Sequence, residues 1–229
     1  MSEFMFVPPK IVGIPIKGSD KLFPVHRIYC VGRNYAGHAI EMGHDPAKEA
    51  PFFFQKNPDN LVFDGKFPYP GKSHDVEHEV ELVVALQKGG QNLGFPEAEN
   101  SIFGYGIGLD MTRRDLQAEL KKAGRSWETA KAFEYSAPCT HLVAKSQTQI
   151  MDEGAITLAV NGKICQRGNL NEMIWKIPEM IAYLSQLFTL TAGDIIMTGT
   201  PAGVGPVQKG DQLVGHIDGL DDLVVEVVG

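Results

Sequence analysis

Within Val76–Leu86, VEHEVELVVAL, acids are set into a run that is otherwise β-branched and apolar. Alternate residues of a strand face the same way, so Glu79 and Glu81 share one face, and Glu77 joins them if the strand is regular. Carboxylates that close repel one another, and burying them costs several kcal/mol unless a proton, a cation or a metal compensates. A hard divalent metal such as Mg²⁺ is the matching compensator. A third carboxylate, Asp110, ends the glycine-lightened run GYGIGL and can serve the same metal; its plainer role would be a helix N-terminal cap.

His38 and Glu41 lie three apart on a short helical stretch, where residues at that spacing are neighbours and the carboxylate can hold and polarise the imidazole. This is the logic of a base and its orienter. Taken alone, the pair reads rather as an exposed His and Glu on a solvated helix, and only context overturns that. Lys131 stands between Ala130 and Ala132-Phe133, and partial burial there suits a partner for an anionic substrate or an oxyanion; snorkelling to the surface is the alternative. Lys56, directly after the Pro51–Gln55 run with its three phenylalanines, could enter a pocket, but a lysine at a strand end is more often solvated. The loop Thr198–Gly205, TGTPAGVG, can turn backbone N–H groups and hydroxyls toward an anion. Glycines 104, 106 and 108 fail the G-x-G-x-x-G spacing and no Walker lysine follows, so a nucleotide loop is rejected.

The elements that must carry these residues are legible from turn and periodicity signals. Residues to Val25 read as an extended arm or short edge strands. Arg27–Val31 is a strand, and a helix over Tyr35–Met42 follows, with Asn34 as N-cap and Gly43 at its end. Pro51–Gln55 is expected as a buried strand and Phe63–Ser73 as a loop or hairpin. Lys88–Asn92 is a turn and Pro96–Asn100 a helical turn. A helix over Thr112–Lys122 carries Arg113, Arg114 and Gln117 and stops at Gly124. Ile156–Val160, Asn161-Gly162 and the return from Ile164 form a hairpin. Asn169 or Asn171 caps a helical stretch through Phe188, which Pro178 kinks or divides. Strands follow at Asp194–Met197, Gln212–Ile217 and Leu223–Val228.

With 229 residues and 43% hydrophobic content, the chain can fill the core of one globular domain. A formal charge of −7 argues against a nucleic-acid partner. No apolar run reaches the roughly 18 residues needed to span a bilayer, and the first segment lacks the pattern of a signal peptide, so no membrane partner and a cytoplasmic location are expected. Cys30, Cys139 and Cys165 fit neither a disulfide framework nor a zinc cluster and read as reduced, structural thiols rather than a nucleophile. There are no repeats, low-complexity tracts or linkers.

In chain order, Val31-Gly32-Arg33-Asn34-Tyr35-Ala36, His38 with Glu41, EHEVELVV, LDMTRRDLQ, AKAF and TGTPAGVG together resemble the fumarylacetoacetate hydrolase family, and within it the acylpyruvate-hydrolysing branch. The resemblance implies an α+β fold, a β-rich mixed-sheet roll with short peripheral helices, built as an N-terminal arm over residues 1–26 and a catalytic domain over 27–229. It implies Mg²⁺ or Mn²⁺ held by Glu79, Glu81 and Asp110, a water-activating dyad of His38 and Glu41, and an active-site lysine at Lys131. Gln117 and Thr200 match substrate-contacting positions, and Arg114 matches an arginine near the site. Lys56 departs from the family pattern because Asn57, not proline, follows it. The implied reaction is hydrolysis of a C–C bond in a 2,4-dioxo acid such as fumarylpyruvate, in gentisate breakdown, by a homodimer. The glycine boundaries of the short helix from Asn34 suit a lid that closes over the ligand and excludes water. Oxaloacetate decarboxylation, isomerisation of unsaturated dioxo acids, and a metal-stabilised binding module without turnover are the alternatives.

Overall fold

The structure, a computed structural model, describes residues 4–41 and 50–229, apart from the side chain of Ala39. The strands in chain order are β1 (Gly13–Pro15), β2 (Leu22–Pro24), β3 (Ile28–Val31), β4 (Phe53–Lys56), β5 (Leu61–Val62), β6 (Lys66–Pro68), β7 (Val76–His78), β8 (Val80–Leu86) and β9 (Ile102–Leu109). They continue as β10 (Thr112–Arg113), β11 (Ala137–Pro138), β12 (Val143–Ala144), β13 (Ala155–Val160), β14 (Lys163–Asn169), β15 (Ile195–Met197), β16 (Gly205–Pro206), β17 (Gln212–Ile217) and β18 (Leu223–Val228). The helices are short: α1 (Ala36–Glu41), α2 (Phe95–Ser101), α3 (Arg114–Lys122), α4 (Glu128–Lys131) and α5 (Ile177–Leu187). This is the expected β-rich mixed-sheet architecture.

A six-stranded mixed sheet, in the order β12-β9-β8-β15-β3-β4, forms the centre. Every residue of β8 is buried, as an uninterrupted apolar strand covered on both faces must be. Its side chains divide by alternation: Val80, Leu82, Val84 and Leu86 enter the larger core, with β13, β17 and β18 on the far side. Val83 and Ala85 face a smaller core with Ile28, Cys30 and Met197, closed by Ile14, Phe23 and Val25 of the β1–β2 hairpin segment. Gly104 in β9 lets β12 pack close, because a Cβ there would lie 2.2 Å from the Val143 carbonyl oxygen. A five-stranded sheet, β14-β13-β17-β18-β6, packs opposite. Its β13–β14 turn is Asn161-Gly162 with φ of +50° and +78°, both in the left-handed region that this dipeptide favours.

Several expectations change. Val76–Leu86 is not one strand: β7 pairs with β10 and β16 in a small separate sheet, and the chain breaks at Glu79 before β8 enters the central sheet. The phenylalanine run forms β4 at the sheet edge, so Phe52, Phe53 and Phe54 are half-buried rather than buried. Thr112 pairs with Glu77 across β10 and β7, which delays α3 to Arg114. Pro178 begins α5 instead of kinking it, since a first-turn residue needs no N–H donor. Asn169 caps only a 3₁₀ turn over Leu170–Glu172, accepting the Asn171 N–H at 3.0 Å. Lys66–Pro68, within the expected loop, joins β18 as a parallel strand. The expected end of α1 at Met42 and Gly43 lies outside the described residues. Among the described residues no helix is long and apolar enough to cross a membrane.

Candidate active site

The break at Glu79 is what gathers the acids. Antiparallel pairing sets Val80 opposite Leu109 and Glu81 opposite Gly108, so Asp110, one residue past β9, comes beside Glu79 and donates its N–H to the Glu79 carbonyl at 2.9 Å. Ligand oxygens of Glu79, Glu81 and Asp110 all lie within 4.8 Å of one another, and all three residues are buried. Lys131, the last residue of α4, is buried as well and donates to Glu79 Oε2 and Asp110 Oδ2, each at 2.7 Å. Arg114 donates from Nη2 to Glu79 Oε1 at 2.5 Å. Burial by itself would raise the Glu79 pKa, but Lys131 and then Arg114 outweigh it and hold the carboxyl well below its usual range. Glu81 goes the other way: burial, reinforced by Asp110 and Glu79, pushes it well up, despite the Gly199 N–H it accepts at 2.8 Å. Three hard oxygen donors, one of them with no ammonium or guanidinium bonded to it among the described residues, fit a divalent cation. The Lys131 ammonium between Glu79 and Asp110 shows that the cluster already draws a cation.

Lys56 corrects the sequence expectation. It is 2% exposed, with Nζ 2.8 Å from Asp110 Oδ1, 3.0 Å from Ser136 Oγ and 3.3 Å from the Met111 carbonyl. It also donates to the Lys131 carbonyl, so it supports both members of the site. The loss of proline after it is made good locally: Asn57 donates its N–H to Asn60 Oδ1 at 2.9 Å and starts a 3₁₀ turn over Pro58–Asn60. Glu77 does not join the metal set. It anchors Arg114 through Nε, while Arg114 Nη1 donates to Gln117 Oε1 at 2.7 Å.

His38 is nearly buried, with Nδ1 3.3 Å from Glu41 Oε2, and the Gly203 N–H donates to both Glu41 oxygens at 3.1 and 3.2 Å. The glycine-rich loop therefore spends two of its N–H groups, those of Gly199 and Gly203, on the site's own carboxylates, Glu81 and Glu41. Asn34 is no helix cap. Its Nδ2 donates to the Thr198 carbonyl at 2.9 Å and the Trp175 carbonyl at 3.0 Å, and its Oδ1 accepts the Trp175 N–H at 2.7 Å. Thr200 donates to the Val80 carbonyl at 2.8 Å and accepts from Gln166 Nε2 at 2.8 Å. Gln166, which sequence reasoning passed over, is fully buried and takes the Val80 N–H on Oε1 at 3.1 Å, tying loop to strand. Its only sequence signal is a glutamine at an inward position of a hairpin strand.

The dyad, the carboxylates Glu79 and Glu81, Lys131, Arg114, Gln117 and Thr200 converge on a cavity of about 210 Å³, which His38 lines while Glu41 stands behind it. That volume is below the roughly 300–1,000 Å³ of drug-sized sites and suits a small acid. Among the described residues no cysteine lines it. Burial pushes the Cys139 thiol up to about 12 and the Cys30 thiol well above its ordinary value, whereas Cys165, expected to be structural, is exposed.

The profile of the fumarylacetoacetate (FAA) hydrolase C-terminal family matches residues 27–228. A crystal structure of fumarylpyruvate hydrolase from Pseudomonas aeruginosa in complex with Mn²⁺ and pyruvate is 46% identical, with a TM-score of 0.96 and 99% of each chain covered. Fumarylpyruvate hydrolase of a Ralstonia species is 40% identical over 184 residues, 80% of this chain and 95% of its own. Oxaloacetate tautomerase of Escherichia coli is 42% identical over 200 residues, 86% of this chain and 90% of its own. With its mixed-sheet roll and buried acid triad, the chain belongs to the fumarylacetoacetate hydrolase family.

Proposed function

We propose that the protein hydrolyses the C–C bond of a 2,4-dioxo acid, converting fumarylpyruvate and water to fumarate and pyruvate in the breakdown of gentisate-type aromatics. One observation carries this reading: His38, held by Glu41, lines the same small cavity as Glu79 and Glu81, which sets a general base within reach of a water beside an oxo acid held at the acid triad. Glu79, Glu81 and Asp110 would hold Mg²⁺ or Mn²⁺, which supplies a Lewis acid that polarises the oxo acid and stabilises developing negative charge.

The chain's own residues do the rest. Glu41, pinned by the Gly203 N–H, orients His38, which takes a proton from the water that adds to the distal carbonyl. The bond to the neighbouring methylene carbon breaks, its electron pair stays on the pyruvate fragment as an enolate, and protonation of that carbon gives pyruvate. Lys131, held positive by Asp110 and Glu79 even though burial opposes its charge, stands beside the developing negative charge. Gln117 and Thr200, both on the cavity wall, contact the substrate, with Arg114 setting the position of Gln117. The helix after Asn34 closes over it. The working unit is a cytoplasmic homodimer, a state that light scattering measures directly.

A second reading is supported by the 42% identity to the E. coli oxaloacetate tautomerase: proton transfer at the carbon between the two carbonyls, without attack by water. An ultraviolet assay with Mg²⁺ or Mn²⁺ across fumarylpyruvate, acetylpyruvate and oxaloacetate separates the cases. Turnover of the acylpyruvates to pyruvate supports hydrolysis. Consumption of oxaloacetate enol alone, or its decarboxylation, transfers the site to the oxaloacetate reactions, and metal binding with no turnover of any of the three leaves a binding module.

A further inference from the structure

The cavity has two further cationic side chains that the proposed hydrolysis does not use. Arg33 and Lys121 both line it, yet among the described residues neither is in hydrogen-bond or ion-pair contact with a carboxylate. Each is instead parked on an aromatic face: the Arg33 guanidinium lies 5.1 Å from the Phe52 centroid and the Lys121 ammonium 4.9 Å from the Trp127 centroid. The two rings are themselves in edge-to-face contact, with centroids 5.3 Å apart and planes at 87°. One aromatic pair thus carries two cations that line the same cavity as Glu79, Glu81 and Lys131. Burial, and after it the nearby charge of Arg114, depresses the Lys121 pKa, with Arg33 among the repelling cations. Two like charges held close with no anion between them are a receptor for one.

We infer that Arg33 and Lys121 select substrates bearing a second, distal carboxylate, so that the protein prefers dicarboxylic acylpyruvates over methyl-capped ones. The inference rests on the acylpyruvate reading for the identity of the substrate, but the recognition itself depends only on the two cations that share one cavity with Glu79 and Glu81. The vinylene unit between carbonyl and distal carboxylate would lie along the aromatic wall.

Two measurements on the Mn²⁺-loaded protein test it. The first compares kcat/KM for fumarylpyruvate and acetylpyruvate in the wild type, Arg33→Gln, Lys121→Gln, the double variant and Arg33→Lys. The second measures binding of 2-oxoheptanedioate and 2-oxoheptanoate, which differ only in a terminal carboxylate against a methyl group, by calorimetry, with oxalate binding used to normalise for folded sites. The wild type is expected to prefer the dicarboxylate at least tenfold, the scale of one charge-assisted contact. Each Gln variant should lose part of that preference and the double variant nearly all, with Arg33→Lys keeping most of it. A preference that survives in the double variant, no preference in the wild type, or an equal weakening of both ligands, which is steering by net charge, overturns the inference. If no acylpyruvate turns over but the binding preference is present and lost on substitution, the hydrolase reading fails and the assignment of Arg33 and Lys121 stands.

Discussion

At the scale of single residues, the acid triad and the dyad have separable jobs. Glu79→Gln or Glu81→Gln should cut Mn²⁺ affinity by at least about 10-fold, because each removes a hard anionic ligand from a three-carboxylate set. Calorimetric titration with Mn²⁺ checks this. His38→Ala should keep the metal and lose hydrolysis by a factor on the order of 10² or more; normal turnover in that variant would remove the dyad from the mechanism. Lys56 makes a different kind of prediction. Its ammonium is buried against Asp110 with three further oxygen partners, so Lys56→Met strips Asp110 Oδ1 of its cation, leaving Lys131 on Oδ2 alone, at a cost of about 3–5 kcal/mol. Denaturant unfolding of metal-free protein reads that loss, and an unchanged midpoint would show that Lys56 is not what balances Asp110.

At the scale of elements, the position of α3 decides where Arg114 and Gln117 point, and the first turn of α3 is fastened by Asp115. Its carboxylate accepts the Ser73 hydroxyl at 2.7 Å, the His74 N–H at 2.9 Å and the Leu116 N–H at 2.8 Å. Burial would raise its pKa, but these donors prevail and lower it. A carboxyl depressed in the folded state stabilises the fold above its unfolded pKa of about 3.9, and that contribution is lost as pH falls through the lower folded value. Asp115→Asn should therefore lower the melting temperature at pH 7 by a few degrees, for a loss of about 1–2 kcal/mol, and the gap to wild type should narrow as the pH falls below the unfolded pKa and through the lower folded one. A gap that does not vary with pH would mean the contacts do not depend on the charge. The loop after β15 is fastened by a comparable device. Gly199 has φ of +93° and a Cβ there would meet the Asn34 Cβ at 2.8 Å, so Gly199→Ala should strain the turn by about 1–3 kcal/mol and pull its N–H from Glu81.

At the scale of the molecule, two cores on opposite faces of one sheet mean that the site sits on the most deeply packed strands, β8 and β9. The cysteines report on this packing. Cys165 should react with a thiol reagent in the native state, whereas Cys30 and Cys139, buried in the smaller core, should react only on unfolding. Mass mapping after timed labelling checks the order, and early labelling of Cys30 would mean that the β1–β2 hairpin opens independently of the central sheet.

Features set by neighbours along the chain were open to the sequence alone. Alternation marked β17 and β18 at the ends observed, Asn161-Gly162 marked its hairpin because left-handed φ is a property of those residues, and helical spacing paired His38 with Glu41. The motif order supplied the triad and Lys131, and the structure brings all four together. The rest depended on contacts between distant parts of the chain, for which no local rule exists. Nothing near Lys56 announces Asp110 or Ser136, and Gln166 is joined to Thr200 and Val80 only once two sheets pack. The break at Glu79 was hidden for the same reason. VEHEVELVVAL satisfies the period of a single strand, and only competition between two sheets, β7 with β10 and β16 against β8 with β9 and β15, divides it and turns Glu79 toward Glu81 and Asp110.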